Sequence, residues 1–557
     1  MRIIVLLSVL IPSASTSIRT AAIQYTSRAT PEASARSNLR RDLRALGKLV
    51  RATAPEADLV VLPEASLWGW VLNFYDGTEA GDRKARQAGL HVAHHGPIEL
   101  GWNQSSGCNW PTLKCPESSQ CATDGPLAYL SCLSLLSNIT LVANILHSPT
   151  NQELYNTEVA FGPGGQVLEF YHKWHLFGEA PAIDQPTIKK LAVFSLPQNP
   201  TVRVGLLICY DLLFVSNLLE MVNKHDVNLL AFSLSWASAY PSYSVVMEQQ
   251  AMARFLGVGL IAANNAAAYS NGGGIYDATG NPIAVYMKPK SSRSAVLTGT
   301  IPILHPTRAL QVSSPTLINQ SLQRARTSDR CSLGDHRTTE YYSLDEFEGN
   351  CQVATIRPGR YELYATSQDG TVDCKAAFNV KNTSSSPYSK IALVAFDQEW
   401  IFPRTPDPWK ARGCALVSCQ STRGNLCDYS TDPLDSQITI EAGLELHINY
   451  SSKGYHQPLA MLGRGIGGRR LLQPEELTVT SDPSGLASMR SEISLTKLYS
   501  AVLYAIRKND DSTVISRCNG CGADGEAYAD YRVYYHYFVS VVLSKGTTQK
   551  HRGRDEK

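Results

Sequence analysis

Three positions in this sequence put chemically reactive side chains at the ends of apolar runs. Val60-Val61-Leu62-Pro63 leads into Glu64, residues 167–171 lead through His172 into Lys173, and residues 202–208 lead into Cys209. Such runs read as strands, and strands of α/β proteins present functional groups at their carboxyl ends. Taken singly, each position has an ordinary explanation. A glutamate after a strand is commonly a salt-bridge partner, a lysine at a strand end is commonly solvated, and a buried unpaired cysteine behaves as a small hydrophobe. Taken together, the three complement one another. A free thiol has a pKa of about 8.5 and needs a neighbouring base or cation to react near neutral pH. Glu64 can take the proton, and Lys173 can balance negative charge on sulfur and on the oxyanion that follows attack on a carbonyl.

The elements that must hold these residues alternate between short β runs and helical stretches over residues 20–302. Residues 21–25, 59–62, 139–145, 159–161, 167–171, 202–208, 228–233 and 259–263 read as strands. Residues 33–53 place Leu39, Leu43, Leu46 and Leu49 near helical spacing, and 127–136, 212–224 and 245–256 also read as helices. This alternation predicts sheets covered by helices. Beyond about residue 313 the texture changes. A polar stretch rich in Ser, Thr and Arg (313–340) reads as a linker, followed by strand-like runs at 361–366, 376–380, 391–395, 438–446 and 531–543. Most of the cysteines lie there, which predicts a β-rich, disulfide-stapled second domain over 341–545 and a polar tail over 546–557.

The chain has 557 residues, a formal charge of +2, and 43% hydrophobic and 18% charged residues. That is enough apolar material for a real core, and it lacks the basic excess that nucleic-acid binding uses. Residues 1–17 combine one early arginine, a short apolar run and small residues, as in a secretory signal peptide. No later segment is apolar for long enough to span a bilayer, and the charged end offers no lipid-anchor signal. Thirteen cysteines agree with an oxidising compartment, and the odd count leaves at least one unpaired. Cys209 stands apart from the clustered ones and is the natural candidate. Asn103, Asn138, Asn319, Asn382 and Asn449 head sequons for glycosylation.

Leu62-Pro63-Glu64, Tyr171-His172-Lys173 with Leu176-Phe177 and Glu179, and Ile208-Cys209-Tyr210-Asp211 resemble the Glu-Lys-Cys motifs of the nitrilase superfamily of carbon–nitrogen hydrolases. Leu154-Tyr155-Asn156-Thr157, Cys209-x-Asp211-x-Leu213-Phe214, Ser235-Trp236 and Gly273-Gly274-Ile275-Tyr276 are most similar to its vanin and biotinidase branch. The resemblance implies an α/β fold, with a four-layer α-β-β-α sandwich as the catalytic domain over residues 18–312 and the β-rich domain after it. It implies Cys209 as nucleophile, Glu64 as general base and acid, and Lys173 as the oxyanion cation. Glu179 matches an additional acid that orients the base or lysine, and the Tyr210 amide a second oxyanion donor. Small-substrate nitrilases often carry an arginine where this chain has Leu213, which argues against a substrate carboxylate clamped there. No cofactor or metal is implied. The expected partner is a small linear amide, either pantetheine, which is preferred, or a biotinyl amide. Trp236, Tyr240 and Tyr243 are candidates for an apolar pocket wall, or equally for packing. The sequence leaves the oligomeric state open.

Other signals are weaker. His91-x-x-His94-His95 lacks a third ligand type nearby and reads as a solvated loop. Cys518-x-x-Cys521 reads as a disulfide pair, and the glycines of 463–468 as a turn. The rival from another class is a secreted binding protein on an enzyme-like fold, although such a chain would be expected to lose at least one of the three reactive residues.

Overall fold

The computed structural model describes residues 17–507 apart from 31–32, 75–77, 104–107, 109–124, 181, 237–244, 267–271, 288–292, 305–328, 334–346, 356, 383–389, 401–408, 420–438, 451–453, 463–469, 473–475, 482–485, 494 and 497. The expected signal peptide, Tyr240, Tyr243, Asn319, the 463–468 glycines, Cys518, Cys521 and the 531–543 run therefore lie outside the described residues, save for Ser17.

The first half is built from two sheets. Strands β1 (Ser17–Gln24), β2 (Leu59–Val61), β3 (His94–His95), β4 (Thr140–Ser148), β5 (Tyr155–Phe161) and β6 (Val167–His172) form the first, closed on its other side by a late strand, Ala295–Pro302. β1, β2 and β4 run parallel, and β5 and β6 continue antiparallel. The second sheet contains β7 (Val193–Leu196), β8 (Asn199–Ile208), β9 (Leu229–Leu234), β10 (Gly259–Asn264), β11 (Gly273–Tyr276) and β12 (Pro282–Tyr286), with β8, β9 and β10 parallel. The central strands are buried along their whole length, which explains why they read as unbroken apolar runs. Hydrogen bonds cross between the sheets. The Gln24 side chain donates to Ala262 O (3.1 Å) and accepts from Asn264 N (3.0 Å), and Ser233 Oγ donates to Leu62 O (2.7 Å). Gly273 permits this approach, since a Cβ there would lie 2.4 Å from the Gln24 side chain and 2.6 Å from Ala262 O.

Helix α1 (Ala35–Thr53) is capped by Ser34, whose hydroxyl accepts from Ser37 N at 3.3 Å. It buries Leu39, Leu43, Leu46 and Val50, so Val50 takes the inward place expected for Leu49. Asp42 is buried on the same face and paired with Tyr25 OH (2.6 Å). Helix α2 (Glu79–Leu90) was not legible in the pattern, because its buried face is made of Gly81, Asp82, Ala85 and Gly89. Helices α3 (Gly125–Ser137), α4 (Val215–His225) and α5 (Val245–Leu256) match expectation. The expected 212–224 helix differs at its start, where a separate turn over Cys209–Leu213 precedes α4.

The regular elements described in the second half are strands, in two seven-stranded sheets. One includes Lys390–Trp400, Trp409–Cys419 and Leu498–Arg507, and the other Gly359–Thr366, Val372–Asn382, Glu445–Tyr450 and Leu486–Ser491. The Cys374–Cys414 disulfide ties the two together through their shared interior. Asp329–Leu333, inside the stretch expected as a linker, pairs antiparallel with Phe347–Thr355. It is an edge strand, which needs backbone hydrogen bonds on one side only and tolerates polar sequence. The expected 438–446 strand is two, Thr439–Ile440 and Glu445–Tyr450, because Gly443 turns the chain with φ 96°. Helix α5 meets this half directly, with Gln250 Nε2 donating to Leu472 O (2.7 Å) and Arg254 Nη2 to Leu477 O (3.1 Å).

Candidate active site

Glu64 leaves the first sheet just beyond β2, and the next residue, Ala65, takes φ 56°. A non-glycine residue in that region is strained and persists where surrounding contacts over-determine it. Here Asn144 on β4 holds the turn, its Oδ1 accepting from Ala65 N (2.9 Å) and from Trp68 Nε1 (2.7 Å). The Asn144 amide then donates to Asn156 Oδ1 (2.7 Å), and Asn156 Nδ2 donates to Glu64 Oε1 (2.9 Å) and Glu179 Oε1 (3.1 Å). An amide NH2 carries two protons, one for each carboxylate.

Lys173 follows β6 and sits between the same two acids, its Nζ 2.8 Å from Glu64 Oε1 and 2.5 Å from Glu179 Oε1. It is 2% exposed, and it ranks among the largest fully buried side chains of the molecule. Burial alone would push its pKa down. The two carboxylates, Glu179 ahead of Glu64, outweigh burial and hold it well above the usual lysine value, so the ammonium keeps its charge. Burial raises the Glu179 carboxyl against the opposing pull of Lys173, and Phe177 N–H closes on Glu179 Oε2 from the intervening loop.

Cys209 follows β8 with φ 45° and begins the Cys209–Leu213 turn. Asp211 locks that turn, accepting from Ile208 N (3.2 Å) and, across to the lysine's loop, from His175 N (3.0 Å). Tyr171 OH accepts from Trp174 N (3.1 Å) in the same loop. Among the described residues Cys209 is the free cysteine. Burial first, then the Glu64 charge, pushes its thiol well above the ordinary value, while Lys173 and a hydrogen bond from Ser235 N–H pull the other way. The same Ser235 N–H donates to Glu64 Oε2 at 2.9 Å. The three separated reactive residues therefore converge.

The model of the carbon–nitrogen hydrolase family matches residues 19–302, just over half of the chain and the whole of the part that carries these residues. The chain belongs to that family. Its curated relatives place it in the vanin and biotinidase branch of the nitrilase superfamily. A biotinidase of Takifugu rubripes is 27% identical over 82% of this chain and 85% of the relative. A human pantetheine hydrolase is 24% identical over 48% of this chain, and the match spans about half of that relative's length (49%). Among solved structures, Nit3 of Saccharomyces cerevisiae, a nitrilase-superfamily member, is 18% identical over 51% of this chain and 89% of its own, with a TM-score of 0.36.

This carbon–nitrogen hydrolase puts Trp236 directly after Ser235, half-buried, with its N–H on Asn264 Oδ1 (2.9 Å). Tyr210 is buried between Phe177 (5.2 Å between centroids) and Phe214 (5.1 Å), and Phe177 is 37% exposed beside Glu179. Phe177 is thus an aromatic at the rim that the sequence offered only as part of a motif. His95 uses both ring nitrogens, on Asn151 Oδ1 and Leu90 O, and His94 stacks on His147. Among the described residues no group of three or more His, Cys, Asp or Glu is arranged to hold a metal ion. Asn103, Asn138 and Asn449 are exposed, and Asn382 ends a strand. Asn144, Glu158 and Ser233 had no signal of their own, since a polar residue inside a strand gives no sign of what it faces. Asn156, Asp211 and Ser235 stood in the family-like motifs without a role.

Proposed function

We propose that this chain is an amidase that cleaves a linear secondary amide through a thioester on Cys209, with pantetheine as the preferred substrate and biotinyl amides as the alternative. The observation that carries this reading is the Lys173 ammonium held by Glu64 and Glu179 beside the one free thiol among the described cysteines. Glu64 Oε2 takes the Cys209 proton as sulfur attacks the carbonyl carbon. The oxyanion forms against Lys173, two of whose three N–H bonds already serve carboxylates, and against the Tyr210 amide at the start of the Cys209–Leu213 turn. Collapse breaks the C–N bond as Glu64 passes its proton to the departing nitrogen. Water then gives a proton to Glu64, attacks the thioester and releases the acid, and Glu64 returns the proton to sulfur. The thiol's raised pKa supports proton transfer concerted with attack.

The four-layer sandwich is our reading of the two helix-flanked sheets, with a catalytic domain over 18–312 and a β-rich domain that takes in Asp329–Leu333 as well as the expected 341–545. We read the chain as secreted and glycosylated. The Cys108–Cys132 and Cys374–Cys414 disulfides and the exposed sequon asparagines support this. The names of relatives, a pantetheine hydrolase and a biotinidase among them, support the substrate choice. The test is an assay of the full chain, recovered from culture medium, against pantetheine, biocytin and simple primary amides. Cysteamine release at the highest kcat/KM is expected. Turnover of none of them would favour the silent binding protein.

A further inference from the structure

Beneath the three reactive residues lies a carboxyl group that the reaction does not use. Glu158 on β5 is fully buried, and among the described residues its Oε2 has no partner and no cation is paired with it. It shares a strand face with Asn156, two residues earlier, which bonds Glu64 directly. Its Oε1 lies 2.8 Å from Ser233 Oγ on β9, and Ser233 Oγ lies 2.7 Å from Leu62 O, two residues before Glu64.

A serine hydroxyl carries one hydrogen, and a peptide carbonyl only accepts. The 2.7 Å contact with Leu62 O therefore takes the Ser233 proton. The contact with Glu158 then needs a proton from the carboxyl. Its surroundings agree, since the groups that face it are Glu64, Asp211 and the phenol of Tyr171. A further anion there would add to two carboxylates that already share one lysine.

We propose that Glu158, as the neutral acid, is a positioning residue that fixes the general base: its O–H holds Ser233, Ser233 holds Leu62 O, and the chain end carrying Glu64 is clamped to β9. Ser235, on the same strand end, holds the Glu64 carboxylate itself. β9 and the residue just beyond it thus hold both the backbone leading to Glu64 and the Glu64 side chain. The role rests on the amidase reading only for its kinetic consequence; the protonation state stands apart from it.

Two measurements on the full-length protein test this. The infrared difference spectrum of wild type minus Glu158→Gln at neutral pH should show the carbonyl stretch of a protonated carboxyl. No such band would overturn the proposal, whether or not the enzyme turns over any amide. In kinetics, Glu158→Gln, whose NH2 can still donate to Ser233, should keep kcat within about threefold. Glu158→Leu should lower kcat roughly 10- to 100-fold with KM within about twofold, the scale of a small misplacement of a reacting group. Ser233→Ala should match Glu158→Leu, and the double variant should be no worse than either. Wild-type kcat in Glu158→Leu or Ser233→Ala, or a loss in Glu158→Gln equal to that in Glu158→Leu, would sink the clamp while leaving the amidase assignment intact. Should Glu158→Leu fail to fold, the infrared band and Ser233→Ala still decide.

Discussion

Beneath the active site, Glu64, Asn144, Asn156, Glu158, Lys173, Glu179 and Asp211 are all buried, whereas the interior of the β-rich half is lined by Leu363, Leu393, Leu416, Leu446 and Ile448. The buried polar side chains described in that half are Ser367, Ser418 and Ser491. The two interiors solve different problems. Burying charge is costly unless the group finds a partner, and around Lys173 the first half meets that condition with a connected network from Trp68 through two asparagines to two acids and a lysine. The second half relies on apolar burial and on a disulfide across its sheets. A polar network of this kind is weak support for stability, so its presence marks where the molecule keeps a reactive geometry.

If the network is as interdependent as its bonds suggest, removing its one cation should do the most damage. Lys173→Ala leaves Glu64 and Glu179 facing each other in the interior, and should cost about 3–5 kcal/mol of unfolding free energy. Amide turnover of the surviving fold should fall by at least about 10²-fold, the typical loss of an oxyanion donor. A variant as stable as wild type in urea would show that the two interiors do not differ in this way. The matching change in the other half is Cys374→Ala with Cys414→Ala, which opens a 40-residue separation and should cost about 2–4 kcal/mol. Its kcat per folded molecule should be unchanged. A fall in kcat would mean that the β-rich half supports the site, with Gln250 and Arg254 on α5 as the contacts that reach it.

Smaller effects sharpen the contrast. Glu248 on α5 is buried, its Oε1 has no partner among the described residues, and burial lifts its pKa to about 8. A folded-state pKa above the unfolded one means that stability is lost as pH rises from about 4.5 to about 8. Glu248→Gln should therefore melt close to wild type at pH 4.5 and progressively above it toward pH 8. A gap independent of pH would mean that the carboxyl is not neutral in the fold. His94 and His172 are shifted the other way, to about 4 and about 3, by burial and then by neighbouring His147. The unfolded chain binds those protons first, so stability should fall as pH drops from about 6.5 toward 4. Replacing both with glutamine should flatten that slope in thermal melts, and an unchanged slope would place the sensitivity elsewhere.

The reactive residues were legible because each sits at the end of an apolar run, where local pattern and chemical type coincide. Asn144, Glu158 and Ser233 were not, because their partners lie on other strands, and register between sheets leaves no local trace in sequence. The same limit hid α2, whose inward face is small and polar, and the split at Gly443. Residues 245–256 were read as a helix with its observed ends, and that helix is buried over most of its surface.

The most direct test of the central claim is the mass of the full-length chain quenched in acid during turnover, with pantetheine and, separately, biocytin, followed by peptide mapping. The account predicts an acyl group on the Cys209 peptide, lost on addition of base or hydroxylamine, with neither adduct nor released amine in Cys209→Ala. Amine release by Cys209→Ala at the wild-type rate, with no adduct on either protein, would contradict it.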